Sequence, residues 1–255
     1  MKQFLKNCII ITLLFGAVFG FGQKNENIKD TIHFRSNISI TNNGFSAIPT
    51  FTLGKPAGVA TFSIAGKRYS FDPEIRYSLA GKPWSFVFIW RYKMLDYNKF
   101  KLIVGAHLPA IAFRTIVEIK NGQEEEVLVG QRFLPLEMIQ TYIINKKCSI
   151  GLYSLFAKGL QIAGPQDTAF LSLNANFSNL NLGSNFEMRF NPQLFYLRSD
   201  HNVGTYFASG LTISNSKSPF SVSTMMNKAF KTELGGKDFN WNVSLHYAFG
   251  KKFTY

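Results

Sequence analysis

The chain has 255 residues, 15% of them aromatic, and its 28 Lys and Arg outnumber its 15 Asp and Glu to give a formal net charge of +13. This length suits one large domain. The basic residues are scattered along the chain rather than gathered on one helical face or arm, which argues against nucleic acid as a partner.

Residues 1–22 have the pattern of a secretory signal peptide. Lys2 and Lys6 precede an apolar run from Ile9 to Phe19, and Gly22 precedes the expected cleavage point. A transmembrane anchor is the alternative, but it needs about 20 apolar residues and this run is shorter. Cleavage would leave Cys148 as the one cysteine, so we expect no intramolecular disulfide.

The later apolar runs are too short for membrane helices. Ser85 to Trp90 and Leu102 to Ala106 are examples, and both are rich in β-branched or aromatic residues. Only helices and closed barrels satisfy every backbone polar group in lipid. A membrane-inserted form of this chain is therefore expected to be a closed β-sheet.

The rest of the chain consists of alternating runs separated by turn signals such as Asn42-Asn43-Gly44. About thirteen runs can be distinguished, and a single-chain bacterial barrel has an even number of strands, so we expect twelve, with fourteen as the alternative. Counted back from the C-terminus, the twelve begin at Phe45. This predicts a barrel at 44–255 and an N-terminal segment at 23–43 that is periplasmic or adds a strand. A soluble β-sandwich or lipocalin-like cup is the competing fold.

Two neighbouring runs, Arg68 to Leu79 and Trp84 to Met94, place all their charges on one side. The opposite side carries mainly aromatic residues, from Tyr69 to Leu79 and from Trp84 to Met94. An Arg on the lipid face near the midplane would cost roughly 2–4 kcal/mol, so the charged side is expected to face the lumen. The same parity argument gives the full set of predicted lumen-lining residues: Arg68, Asp72, Glu74, Arg76, Arg91, Lys93, Lys101, Glu187 and Arg189.

The last stretch, Asn240 to Tyr255, alternates most strictly. Its apolar positions are Trp241, Val243, Leu245, Tyr247 and Phe249, and polar or small residues lie between them. This stretch resembles the closing strand of bacterial outer-membrane β-barrels, and the mature chain resembles the small porin-like barrels of the Bacteroidota type. The resemblance implies an all-β, transmembrane, antiparallel up-and-down barrel of about twelve strands. It also implies a bacterial outer-membrane location, contact with lipid and lipopolysaccharide, and recognition of the last strand by the barrel-insertion machinery.

Known catalytic patterns are weak or absent. Outer-membrane lipid hydrolases resemble one another in a His-x-Ser pair, but the residues two after His33, His107, His201 and His246 are Arg35, Pro109, Val203 and Ala248. Asp200-His201 faintly resembles the dyad of an outer-membrane protease family, although a solvated turn is the stronger interpretation. Glu124, Glu125 and Glu126 could bridge divalent cations to lipopolysaccharide, or they form a solvated loop tip. The sequence contains neither the spacing of a metal site nor a Gly-rich phosphate loop, so no metal or cofactor is expected.

The sequence therefore predicts a non-enzymatic barrel, either a narrow porin-like channel or a structural barrel with a basic-rich lumen. If the charges line opposite walls, small anions are the expected solutes; if they pair across the lumen, the barrel is plugged. An outer-membrane hydrolase acting on lipid or peptide is the alternative.

Overall fold

A computed structural model describes residues 31–46, 48, 51–120, 123–162 and 164–254. The predicted signal peptide, residues 1–22, lies outside this part of the chain. Residues 31–254 form one compact unit. It contains twelve strands: β1 Thr31–Thr41, β2 Ala57–Ala65, β3 Tyr69–Ser78, β4 Pro83–Asp96, β5 Phe100–Lys120, β6 Gln123–Asn145, β7 Cys148–Gly159, β8 Asp167–Gly183, β9 Phe186–Ser199, β10 Asn202–Asn215, β11 Phe220–Thr232 and β12 Phe239–Thr254.

These strands form a closed barrel. Each strand pairs antiparallel with its neighbours in the chain, and β1 closes the ring by pairing with β12 from Thr31↔Thr254 to Thr41↔Ser244. Closure removes every sheet edge, so no row of backbone donors and acceptors is left unpaired. The prediction of an all-β antiparallel barrel with twelve strands is confirmed.

The first strand begins at Thr31 and not at Phe45, so the barrel includes most of the segment that the sequence assigned to 23–43. The run from Phe45 to Leu53 alternates like a strand, but it belongs to the β1–β2 connection, where Leu53 and Gly54 donate backbone hydrogen bonds to Gly44. Thr31–Thr41 forms the strand instead because it pairs on both sides, with β2 and with β12. The predicted number of strands is confirmed. Part of the segment at 23–43 adds a strand, which is one of its two predicted roles, whereas the run that begins at Phe45 does not form one.

The outer surface of the barrel carries the apolar side chains. Along β12, Trp241, Val243 and Leu245 are exposed, whereas Asn242 and Ser244 between them are buried on the other face. A β-sandwich or a lipocalin-like cup would bury its apolar side chains in a core. The exposed apolar face therefore contradicts both of these folds and is typical of a transmembrane barrel. Within the described residues no helix is long and apolar enough to cross a membrane.

Strands β5 and β6 form the longest hairpin, with 21 and 23 residues. A strand needs about 9–11 residues to cross the hydrocarbon layer, so this hairpin continues well past that length. A bulge interrupts the pairing between Ala106↔Leu136 and Ala110↔Phe133. The extra residue reverses the alternation of β5, so both His107 and Ala110 are buried on the inner face.

Candidate functional site in the barrel interior

Five side chains on consecutive strands form a polar group on the inner wall, which we call the Glu137 cluster: Asp72, Arg91, His107, Glu137 and Tyr153. Arg91 donates from Nε to Glu137 Oε1 at 2.5 Å and from Nη1 to Asp72 Oδ2 at 3.0 Å. The Tyr153 hydroxyl donates to Glu137 Oε2 at 2.8 Å, and His107 Nε2 lies 3.0 Å from the same oxygen. The carboxylate of Glu137 is thus the centre of the group.

The strand register brings these residues together. Arg91 pairs with Gly105, which pairs with Glu137, which in turn pairs with Leu155. A Cβ atom at Gly105 would lie 2.8 Å from Glu137 Oε1 and 2.9 Å from the carbonyl oxygen of Trp90. Gly105 therefore leaves the space that the Glu137 carboxylate occupies between β4 and β6.

Acidic groups outnumber the guanidinium in the cluster, which pairs the two carboxylates of Asp72 and Glu137 with Arg91 alone. The side chain of Glu137 is 0% exposed, and that of Arg91 is 26% exposed. A buried carboxylate is tolerated only when it is paired and hydrogen-bonded, and here Arg91, His107 and Tyr153 surround it. Because Arg91 also binds Asp72, one guanidinium serves two carboxylates.

The other predicted lumen-lining residues lie apart from this cluster. Arg76 pairs with Glu74 at 2.5 Å, and Lys93 and Lys101 bind Asp96 at 3.0 and 3.3 Å. The remaining three are less enclosed: Arg68 donates to the Tyr92 hydroxyl at 3.3 Å, and Glu187 and Arg189 are exposed on β9. The structure therefore brings Asp72 and Arg91 into one group and places the other seven outside it.

The described residues of the connection between β1 and β2, 42–46, 48 and 51–56, include side chains that contact the inner wall; we call this connection the inward loop. Its Phe51 ring packs edge-on against Phe133 of β6 with 5.2 Å between centroids. The backbone oxygen of Phe51 accepts a 2.8 Å hydrogen bond from Trp84 Nε1 on β4. The loop thus reaches from its own strands to the inner wall beyond β3.

Trp84 lies on the opposite face of β4 from the one that the sequence predicts. Alternation with Phe86 to Met94 predicts it on the apolar outer side, but it is only 4% exposed and lines an interior cavity. The reason is an irregularity in the β3–β4 pairing, where Arg76↔Ser85 is followed by Tyr77↔Pro83. Trp84 is the extra residue, and its ring lies under the Arg76 guanidinium at 4.7 Å.

The wall formed by β7 to β11 carries the main apolar cluster of the interior. Leu155, Phe170, Phe195 and Leu197 are among its buried members, and Ile48 of the inward loop packs against it. This side of the barrel is packed like a protein core. The polar cluster on β3 to β7 and the apolar wall therefore occupy different parts of the interior.

A second polar group lies where β11, β12 and β1 meet. Ser223 Oγ lies 2.7 Å from His246 Nε2, and Asn37 Nδ2 lies 3.2 Å from His246 Nδ1. The group lies on the inner face, since Ser223 and His246 share the parity of the buried Ser244. It joins a hydroxyl, an imidazole and an amide in one chain of contacts.

Three of the residues considered as sites have structural partners: Asp200, Glu125 and Glu126. The Asp200 carboxylate accepts the backbone N–H groups of Gln166 and Asp167, each at 2.8 Å, which ties two loops together. Glu126 pairs with Lys82 at 2.7 Å, and Glu125 lies 3.8 Å from Lys120. In the described part of the chain no group of three or more His, Cys, Asp or Glu side chains could hold a metal ion.

Sequence reasoning missed three members of the Glu137 cluster. Glu137 had a usable signal, because it is an acid between apolar residues within a membrane-length run, and such residues are functional candidates. His107 shares the parity of Lys101, which indicates the inner face. Tyr153 carries no comparable signal, since tyrosine is equally typical of the lipid-facing side of a barrel.

Comparisons with known proteins identify the fold. No family model and no curated protein matches the chain. Among solved structures it is similar to the KdgM porin in complex with disordered oligogalacturonate, with TM-score 0.50 and 8% identity over 86% of this chain and 99% of that chain. It is also similar to the NanC porin (TM-score 0.49, 8% identity, 84% and 97% covered) and to LpxR from Salmonella typhimurium (TM-score 0.47, 10% identity, 84% and 99% covered).

At these identities the likeness shows the fold alone. The chain is an antiparallel barrel of twelve strands whose structural neighbours are outer-membrane porin-type barrels. The resemblance to the Bacteroidota type stays a prediction.

Proposed function

We propose that this protein is a narrow, porin-like channel of the bacterial outer membrane, with the Glu137 cluster as its charged constriction and the inward loop as its cover. The observation that carries the proposal is the Glu137 cluster itself. Buried ion pairs add little net stability compared with apolar residues of similar volume. A wall that served only as a core could be packed like that of β7 to β11, so a charged wall favours a solute path.

The location is supported by the outer surface. The exposed side chains of Trp90, Trp241, Leu245 and Phe249 would lie against lipid, with aromatic residues where the strands meet the interfaces. Lipid and lipopolysaccharide are the surroundings that such a face fits. The alternating closing strand, β12, supports the proposed handling by barrel-insertion machinery.

The expected ion selectivity is a weak preference for anions. The predicted lumen-lining set contains six basic and three acidic residues, and the structure adds Glu137 and Asp96 as acidic partners of Arg91 and Lys93. Most basic groups are therefore compensated locally. The remaining basic surplus lies outside the Glu137 cluster, where two carboxylates share one guanidinium, so the preference for anions is expected to be weak.

Arg91→Gln is expected to turn the weak anion preference into a cation preference. The change removes the one guanidinium that serves Asp72 and Glu137 and leaves their negative charges on the wall. The measurement is the reversal potential of single channels in a planar bilayer under a salt gradient. Lys251→Gln is the control, because Lys251 lies on the outer parity of β12; equal reversal potentials for all three proteins would contradict the proposal.

A second candidate function, an outer-membrane hydrolase acting on lipid or peptide, is favoured by one observation. Ser223 Oγ lies within hydrogen-bond distance of His246 Nε2, which places a hydroxyl beside an imidazole, as nucleophilic catalysis requires. Asn37 Nδ2 donates to His246 Nδ1, so the neutral ring carries its proton on Nε2, and His246 could accept the Ser223 proton only after the Asn37 amide turned its oxygen toward Nδ1. Its position on the inner face requires a substrate that enters the barrel. We therefore favour the channel over the hydrolase.

The hydrolase candidate predicts covalent labelling of Ser223 by a fluorophosphonate probe. Activation by His246 would make this hydroxyl more reactive than other serines of the inner face. Mass spectrometry of the labelled, folded protein locates the adduct. Ser223→Ala should abolish labelling, whereas the control Ser221→Ala should be labelled like the wild type. A wild-type protein without an adduct at Ser223 would contradict the hydrolase candidate.

A further inference from the structure

A cavity of about 290 Å³ lies beneath the inward loop, above the Glu137 cluster. Aromatic side chains of the loop and of two strands, Phe51, Trp84 and Phe133, line one part of it. Drug-sized ligands occupy pockets of roughly 300–1,000 Å³, so this cavity suits a smaller molecule. Its lining thus fits a compact ligand with a flat apolar body.

The same cavity carries polar atoms that the protein leaves without partners. Arg76 Nε and Ser85 Oγ are buried, and neither has a hydrogen-bond partner among the described residues. Both residues line the cavity. An unsatisfied buried donor is destabilising, and an acceptor atom on a ligand would satisfy it.

Arg76 is positioned to recognise an anion beside a ring. Its guanidinium stacks on Trp84 at 4.7 Å, and Glu74 accepts from Nη2 alone. A guanidinium has five N–H donors, so donors remain after the pairing with Glu74. Three other titratable groups line the cavity, and each already has a partner: the Glu74 carboxylate pairs with Arg76, and His107 Nε2 and the Tyr153 hydroxyl contact Glu137.

We infer that this cavity binds a small aromatic carboxylate, with the carboxylate at Arg76 and Ser85 and the ring among Phe51, Trp84 and Phe133. Guanidinium groups match carboxylates in geometry and charge. The inward loop covers the ligand because Phe51 and Ile48 belong both to the loop and to the cavity wall. The inference deepens the proposed function by naming a class of solute for the interior. It rests on that proposed function, which uses the same barrel interior.

Titration of the folded wild-type protein in detergent micelles with benzoate tests the inference. Isothermal calorimetry should show saturable binding of one benzoate, and the fluorescence of a variant with Trp90→Phe and Trp241→Phe, which keeps Trp84, should change with the same midpoint. Acetate, which lacks the ring, and benzyl alcohol, which lacks the charge, should bind at least about tenfold more weakly.

Arg76→Gln should weaken benzoate binding by about tenfold or more, and Ser85→Ala by a smaller factor. Arg189→Gln is the control for general charge loss, because Arg189 is exposed on β9. Equal benzoate affinity in wild-type and Arg76→Gln proteins of demonstrated fold, or no saturable binding to the wild type, would overturn the inference.

The outcome is separable from that of the channel proposal because no current is measured. A barrel that conducts but binds no benzoate refutes the cavity inference alone, and one that binds benzoate but passes no current refutes the channel alone.

Discussion

Removal of residues 45–53 is expected to raise the single-channel conductance severalfold. The inward loop reaches the opposite parts of the wall through Phe51 and Ile48, so its removal should widen the narrowest part of the barrel. The deletion is practicable because the loop ends are already joined: Gly54 donates to the Gly44 oxygen at 3.0 Å and Gly44 donates to Lys55 at 2.8 Å. An Asn-Gly turn can therefore connect Gly44 to Gly54.

A variant that loosens the loop without shortening it serves as the comparison. Ile48→Ala with Phe51→Ala removes the two contacts with the wall and keeps the length of the loop. We expect a conductance between the wild-type and deletion values, with more frequent transitions between levels. Equal conductance in the wild-type and deletion proteins would show that the loop does not narrow the pore.

Arg91→Met is expected to lower the free energy of unfolding by about 3–5 kcal/mol, because it leaves the buried Glu137 carboxylate without its cationic partner. Glu137→Gln in the same protein should restore part of this loss, since the uncompensated charge is then removed. The measurement is urea-induced unfolding in lipid vesicles, followed by tryptophan fluorescence for the two single variants and the double variant.

Arg189→Met provides the matched control for these stability measurements. Arg189 is a predicted lumen-lining arginine like Arg91, but it is exposed on β9, so its loss should change the free energy of unfolding by no more than about 0.5 kcal/mol. Additive effects of Arg91→Met and Glu137→Gln would contradict the assignment of the two residues to one energetic unit.

Local alternation predicted the architecture well. Trp241 to Phe249 identify the closing strand, and Tyr69 to Leu79 identify a strand with one apolar face, because side chains on a strand alternate between lipid and lumen. The turn signal Asn42-Asn43-Gly44 also follows directly on Thr41, the observed end of β1. These features depend on neighbours in the sequence, which is why they were predictable.

The position of the first strand and the inward orientation of Trp84 show where alternation fails to predict the structure. Phe45 to Leu53 and Ile32 to Thr41 have similar patterns, and pairing with β12, more than 200 positions away, decides between them. Trp84 points inward because of one irregular pair in the β3–β4 register. Neither the partner of a strand nor a single extra residue within it can be recognised from the alternation alone.

The Glu137 cluster was only partly predictable for the same reason. Parity places Asp72 and Arg91 on the inner side, but their contacts with Glu137, His107 and Tyr153 depend on the register of five strands. The bulge in β5 and the space at Gly105 allow these contacts. Sequence parity thus indicates which face a residue occupies, and the register determines which residues meet there.

Single-channel recording of the refolded wild-type protein in a planar bilayer tests the central claim most directly. The proposed narrow channel should give small, steady current steps whose reversal potential under a salt gradient indicates weak anion preference. A protein shown to be folded by its heat-dependent migration in gel electrophoresis, yet giving no current steps, would contradict the channel and indicate a plugged barrel.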